Sequence, residues 1–162
     1  MADEITEATA RRPLRILFVC TGNSARSQMA EAFARRLGRG AVAAHSAGVD
    51  PTRLNPHAVA AMRERRIDVS HQTSKALDEA LARRMDYVIT VCGHAEERCP
   101  ILPPEVRRIH WPLGDPARAQ GTPEEVLRAF RRSRDEIETR VRGLFEEILG
   151  PGPPVPPPTR PA

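Results

Sequence analysis

Short apolar runs alternate with amphipathic stretches along most of this chain. Leu14–Val19 reads as a buried strand, and Ser27–Leu37 as a helix stopped by Gly38 and Gly40. Val42–Ser46 reads as a second short strand closed by Gly48. Asn55-Pro56 pairs a capping side chain with a first-turn proline and opens a helix to about Arg65. Ile67–Val69 is too short to assign. A loop through Thr73-Ser74 leads to an amphipathic helix predicted near Leu77–Arg84. Tyr87–Val91 and Val106–Trp111 read as strands three and four. Gln120-Gly121-Thr122 is a turn plus cap that starts a long helix from Pro123 to about Leu149. This alternation predicts an α/β fold, a three-layer αβα arrangement around a four-stranded parallel sheet. Such sheets bind ligands beyond the C-terminal ends of their strands, where Cys20, Cys92 and Asp115 all fall.

Both ends are expected to be tails: residues 1–13 are polar and charged, and residues 150–162 are proline-rich and unable to hold a helix. One domain, 14–149, lies between them. The 162 residues, 40% hydrophobic and 28% charged, suit one globular domain with a real core. The net charge of +4 comes mostly from arginines spread along helices, opposed by many Asp and Glu and accompanied by only 4% aromatics. That pattern argues for solvated helix faces and a small anionic substrate rather than nucleic acid. The start of the chain lacks an apolar leader core, and no stretch is apolar for long enough to span a bilayer. An odd number of cysteines, three, then fits a reducing cytoplasm with working thiols better than a disulfide scaffold. A monomer is expected.

The most informative segment is Cys20-Thr21-Gly22-Asn23-Ser24-Ala25-Arg26-Ser27, at a strand-to-helix turn. N–H groups at a helix start point outward with partial positive charge and hold oxyanions. The same field and the Arg26 guanidinium favour Cys20 as a thiolate nucleophile. Spacing alone proves little, because Cys92 also has an arginine six positions later, Arg98, but with Glu96 and Glu97 between them. The loop contents decide. Gly22 and Asn23 tolerate positive φ, and Ser24 and Ser27 can donate hydroxyl hydrogen bonds. The plainer reading is an inert buried cysteine ending a strand.

Cys92 and Cys99 flank Gly93-His94-Ala95-Glu96-Glu97-Arg98. A rigid helix there would set the two residues roughly 10 Å apart. A disulfide needs Cα atoms about 5.5 Å apart, so the segment would have to unwind. Gly93 and Pro100 at its borders make that rearrangement feasible. Three readings stand: a redox pair in which Cys92 reaches Cys20 and Cys99 resolves it, a zinc site with His94 and His110, or ordinary reduced thiols. His57, His71 and His110 have no metal-like neighbours in the sequence and read as surface or packing residues, and Trp111 as core.

Across about Leu14 to Leu149 the chain resembles the thioredoxin-coupled arsenate reductases, which share the low-molecular-weight protein tyrosine phosphatase fold. The resemblance is carried by Val19 through Glu31, by Ser46-Ala47-Gly48, by Val91-Cys92-Gly93 through Cys99-Pro100, and by His110 through Ala117. It implies that Thr21, Gly22, Asn23, Ser24, Ala25, Arg26 and Ser27 bind the oxyanion and that Cys20 attacks arsenate. It further implies that Asp115 acts as general acid, that Cys92 and then Cys99 resolve the relay, and that thioredoxin regenerates the enzyme. No cofactor or resident metal is implied. Asp115 alternatively reads as a turn cap before Pro116. Ala25 stands where many relatives carry a further cysteine. Relatives that bind potassium use an Asn, a Glu and a Thr followed two residues on by Asp. Asn23, Glu31 and Thr73 match, but Lys75 replaces the aspartate, so potassium activation should be weak or absent. Two rival functions remain. A phosphatase working through a phosphocysteine would need only Cys20, Arg26 and Asp115, and a non-catalytic oxyanion-binding module would need no turnover.

Overall fold

A computed structural model describes residues 12–150. Most of the two expected tails therefore lies outside the described residues. The elements are β1 (Leu14–Cys20), α1 (Arg26–Gly38), β2 (Val42–Gly48), α2 (Pro56–Arg63), α3 (Glu79–Ala82), β3 (Tyr87–Thr90), α4 (Gly93–Arg98), β4 (Arg107–His110) and α5 (Pro123–Leu149), with 3-10 turns at Arg39–Ala41 and Pro116–Arg118. All strand pairings are parallel, in the order β2-β1-β3-β4. Ile16, Leu17, Phe18 and Val19 are all buried, so consecutive residues on β1 are covered on both faces of the sheet. That is the expected three-layer αβα fold.

The chain leaves β1 toward β2 in one direction and returns past it to β3 in the other. The two crossovers thus diverge at the C-terminal ends of β1 and β3, which opens a crevice there. Cys20 ends β1, and Cys92 lies two residues beyond β3. Helix α5 presents Phe130, Arg134, Ile137, Val141 and Leu144 as one buried stripe at helical spacing, packed on α1 and α2. The buried Arg134 in that stripe donates to the Ala61 carbonyl at 2.8 Å and to Glu64 at 2.8 Å, so its charge is not left unpaired. Trp111 is buried against Phe18, with ring centroids 5.9 Å apart, and His57 stacks on Phe130. Both behave as packing residues.

Three local expectations need correction. The helix near Leu77–Arg84 is a single turn, Glu79–Ala82, capped by Asp78. Leu77 instead donates its N–H to the Gly48 carbonyl, and Gly48 donates to the Lys75 carbonyl, so residues 75–77 run extended beside β2. Pairing with the sheet overrides the helical period. Gly38 is not the residue that turns the chain: its φ is −82°, and Arg39 takes the positive φ of 50°. A Cβ on Gly38 would lie 2.4 Å from the Val42 side chain, so glycine is required there by packing. Gly22 also keeps an ordinary φ, leaving Asn23 (φ 48°) as the loop's left-handed residue.

At the start of β1, Arg12 grips Asp86 with both guanidinium nitrogens, at 2.8 and 2.9 Å, and the Arg15 N–H adds 2.8 Å. The Arg12 bonds, helped by the Arg15 amide, pull the Asp86 carboxyl down to about 2. A lowered folded-state value stabilises the fold at pH above the unfolded carboxyl's value, and this contribution disappears as pH falls from about 4 to about 2. Asp86→Asn should therefore lower the urea midpoint near neutral pH and match the parent protein near pH 2. An equal loss at both pH values would refute the assignment.

Candidate active site

The loop from Cys20 to Arg26 is shaped by where its carbonyls go. Val49 donates to Cys20 O (3.1 Å), Asp50 to Thr21 O (2.9 Å), Thr52 to Gly22 O (3.0 Å) and Asn55 to Ser24 O (2.9 Å). Asn23 O accepts from Gln28 Nε2 at 2.9 Å and from Ser74 Oγ at 2.7 Å. Every one of these negative ends is tied to the strap 49–55 or to side chains behind the loop. Ala25 at the N-cap of α1 makes no side-chain capping bond, so the first-turn N–H groups are oriented for an external acceptor. The result is a backbone cradle of a shape that suits an oxyanion.

Asn23 is its keystone. Its N–H donates to Cys20 Sγ at 3.1 Å, and its Nδ2 donates to Ser27 Oγ at 2.8 Å. Ser27 Oγ lies 2.8 Å from Cys20 Sγ, so the hydroxyl that accepts from Asn23 has its proton free for the sulfur. Asn23 Oδ1 in turn accepts from the Lys75 N–H (2.8 Å) and from Gln28 Nε2 (3.1 Å). The buried Gln28 also donates to Thr73 O at 2.9 Å. Sequence reasoning missed Gln28, Ser74 and the strap, because nothing local marks a side chain that works by holding another residue's carbonyl. Gly48 gives a partial signal: a Cβ there would sit 2.6 Å from Thr21 O and 2.8 Å from Asn23 N.

Arg26 is 8% exposed, and its Nη1 donates to the Leu113 carbonyl at 3.0 Å. That bond anchors the loop after β4 and sets Arg26 Nη2 3.8 Å from Asp115 Oδ2. Asp115 is a turn cap that also faces Arg26. Oδ1 caps the 3-10 turn by accepting from the Ala117 N–H (3.0 Å), while Oδ2 faces Arg26 at the mouth of the cradle.

The other thiols adjoin this site. Cys92 is the N-cap of α4: its sulfur accepts from the Ala95 N–H at 3.4 Å and lies 3.3 Å from Thr21 Oγ1, next in sequence to Cys20. Cys99 closes the other end of α4 and is also buried. Burial pushes the Cys99 thiol up, against the opposing pull of the Arg108 charge. Among the described residues, no three His, Cys, Asp or Glu side chains are grouped as a metal site would need. Of the residues matched to potassium ligands, Glu31 is buried, accepts from Ser46 Oγ at 3.1 Å and lies 3.5 Å from Arg35, while Lys75 Nζ donates to the Thr73 carbonyl.

Residues 15–150 match the family described as low molecular weight phosphotyrosine protein phosphatase. The arsenate reductase of Bacillus subtilis strain 168 is 49% identical over 131 residues, covering 81% of this chain and 94% of the relative. A solved arsenate reductase in its phosphate-binding state superposes with a TM-score of 0.69 at 38% identity, covering 83% of this chain and 98% of the other. The thioredoxin-dependent arsenate reductase of Corynebacterium glutamicum gives a TM-score of 0.70 at 28% identity, covering 90% of this chain and 67% of that one. Among the described residues, no helix is long and apolar enough to cross a membrane.

If the cradle binds oxyanions, inorganic phosphate should slow alkylation of Cys20 by iodoacetamide. Gly48→Ala, which drives a methyl into the loop backbone, should abolish that protection and cost about 1–3 kcal/mol of stability. Undiminished protection in this variant would show that the loop backbone is not the binding element.

Proposed function

The chain belongs to the low molecular weight phosphotyrosine protein phosphatase family, as an arsenate reductase, and from that premise we propose a three-cysteine relay regenerated by thioredoxin. The observation that carries this reading is the placement of Cys92 on α4 against Thr21, within the wall of the Cys20 cradle. A phosphatase of this family has no chemical need for a second thiol there, nor for a third at the other end of the same short helix.

Arsenate enters the cradle as an oxyanion held by loop N–H groups and Arg26. The Cys20 thiolate, stabilised by the Asn23 N–H and the Ser27 hydroxyl, attacks arsenic(V), and an arsenic-bound oxygen leaves as water with a proton from Asp115. Cys92 then attacks Cys20 Sγ. A Cys20–Cys92 disulfide forms, the sulfur–arsenic bond breaks, and its electron pair stays on arsenic, which departs as arsenite. Two thiols have lost two electrons and arsenic has gained two. Cys99 next attacks Cys92, releasing the Cys20 thiolate and leaving a Cys92–Cys99 disulfide. The dithiol of thioredoxin reduces that bond. Because Cys92 and Cys99 sit at opposite ends of α4, the attack has to follow a rearrangement of that helix.

Cys20→Ser, Cys92→Ser and Cys99→Ser should each abolish arsenate-dependent NADPH oxidation in the presence of thioredoxin and its reductase. Phosphatase activity on a small aryl phosphate, if measurable, should vanish only in Cys20→Ser. Full reductase turnover in Cys99→Ser would reject the relay. Asp115→Asn should lower the arsenate rate by about 10²–10⁴-fold, the usual range for loss of a general acid. The Lys75 ammonium occupies the surroundings of the Thr73 carbonyl, so rates in sodium and potassium buffers of equal ionic strength should coincide. A clear potassium stimulation would overturn that point alone.

A further inference from the structure

Helix α4 must lose its present form before Cys92 and Cys99 can join. Seven residue steps along α4 set their Cα atoms roughly 10 Å apart, whereas a disulfide needs about 5.5 Å. Any contact that exists only while α4 is folded therefore stabilises the dithiol over the disulfide. The structure shows one cluster of such contacts, on the side of α4 facing the sheet, and the relay itself makes no use of it.

The cluster centres on Glu96, in the middle of α4. Arg108 of β4 donates Nη2 to the Glu96 carbonyl oxygen at 2.7 Å and lies 3.2 Å from the Glu96 carboxylate. The same guanidinium reaches the Pro100 carbonyl through Nη1 at 3.4 Å. Arg108 thus ties down backbone on both sides of Cys99. The Glu96 carboxylate also accepts a hydrogen bond from the hydroxyl of Thr90, a fully buried residue at the end of β3, whose Oγ1 lies 2.9 Å from His110 Nδ1. Two sheet strands thus hold the Glu96 carboxylate, the Glu96 carbonyl within the helix and the Pro100 carbonyl just past its end. On the opposite side, Arg98 pairs with Asp50 at 2.7 Å, but both side chains are about half exposed. Ion pairs of that kind contribute little.

We propose that Arg108, with Thr90, is a latch on α4 that acts through Glu96 to set the redox balance of the Cys92–Cys99 pair. In this role Arg108 and Glu96 are positioning residues and touch no substrate. The latch favours the dithiol, so it makes the Cys92–Cys99 disulfide easier for the reductant to cleave. Its loss should leave the enzyme trapped more often in the oxidised form. The proposal rests on the relay reading, since a latch on α4 matters for redox only if the two thiols pair.

The test uses the full chain in a Cys20→Ser background, so that only Cys92 and Cys99 can pair. The protein is equilibrated with mixtures of reduced and oxidised dithiothreitol, free thiols are alkylated, and the disulfide fraction is read by mass spectrometry. Forming the bond releases two protons and two electrons, which cleave the oxidised dithiothreitol ring to its dithiol. Arg108→Ala and Glu96→Ala should each shift the equilibrium toward the disulfide by about tenfold, or about 30 mV more negative. The double variant should shift by less than the sum, because both changes remove the same contact. Arg108→Lys should fall between parent and Arg108→Ala, and Arg98→Ala should move the potential far less than Arg108→Ala. Unchanged potentials in Arg108→Ala and Glu96→Ala, or shifts toward the dithiol, overturn the latch and leave the relay standing. A parent that forms no Cys92–Cys99 disulfide at any ratio overturns both.

Discussion

The site depends on the polarity of one stretch of backbone. A turn from Cys20 to Arg26 can bind an anion only if its amides face inward and its carbonyls face away, since one inward carbonyl would set a negative dipole against the ligand. Four strap N–H groups hold the carbonyls of Cys20, Thr21, Gly22 and Ser24 outward, and Gln28 and Ser74 hold that of Asn23. The opposing cost is the left-handed φ of Asn23, of order 1–3 kcal/mol for a non-glycine residue. The bonds that fix the loop contribute about 0.5–1.5 kcal/mol each. Their sum exceeds the strain, so the loop is held ready before any ligand arrives. The same frame supplies the sulfur's own donors, because the Asn23 that takes the strained φ is the residue that reaches Cys20 and Ser27.

The three thiols stand on scaffolds of unequal rigidity, and their proposed roles follow that inequality. Cys20 ends a strand paired on both sides and is wrapped by the strap. Cys92 and Cys99 bracket a helix of six residues. Helices so short are unstable on their own and persist only through tertiary contacts. For α4 those contacts are largely polar and come from Arg108, Thr90 and Asp50. Polar contacts can be exchanged for water at a cost of about 0.5–3 kcal/mol each, whereas the apolar packing around β1 has no such replacement. A nucleophile gains from a fixed position; a thiol that must travel gains from a helix that can come apart.

Much of this was legible in the sequence. The apolar runs, the Asn55-Pro56 and Thr122 caps, and the small polar residues after Cys20 are local signals whose physics acts within a few residues. The fold class and the positions of Cys20, Arg26 and Asp115 followed from them. What stayed hidden depends on residues far apart in the chain. Leu77 has helical neighbours but pairs with Gly48, and Gly38 is small because Val42 needs the room. In the sequence Glu96 is one of two acids between Cys92 and Arg98, and only the fold brings Thr90 of β3 and Arg108 of β4 against it. His110 is exposed, in keeping with a surface or packing role, but the sequence does not show that it borders that cluster. Local chemistry is visible in one dimension, and contact chemistry is not.

The geometry also bears on the order of the proposed relay. In the resting fold Cys92 Sγ is the N-cap acceptor for Ala95 and neighbours Thr21. Once that sulfur joins Cys20, it turns away from the helix and the cap is lost. Removing an N-cap weakens a helix by about 1 kcal/mol, a large fraction of what holds six residues together. The step that expels arsenite is therefore the step that loosens α4 from its N-terminal end. In the proposed relay this loosening is what lets Cys99, a buried thiol whose pKa burial raises, approach Cys92. Arg108 and Thr90 oppose that motion from the other side of the helix, so the first disulfide works against the latch, and reduction by thioredoxin works with it. A helix capped by one reacting sulfur and closed by the other can in this way report the state of the active site to the thiol that has to leave it.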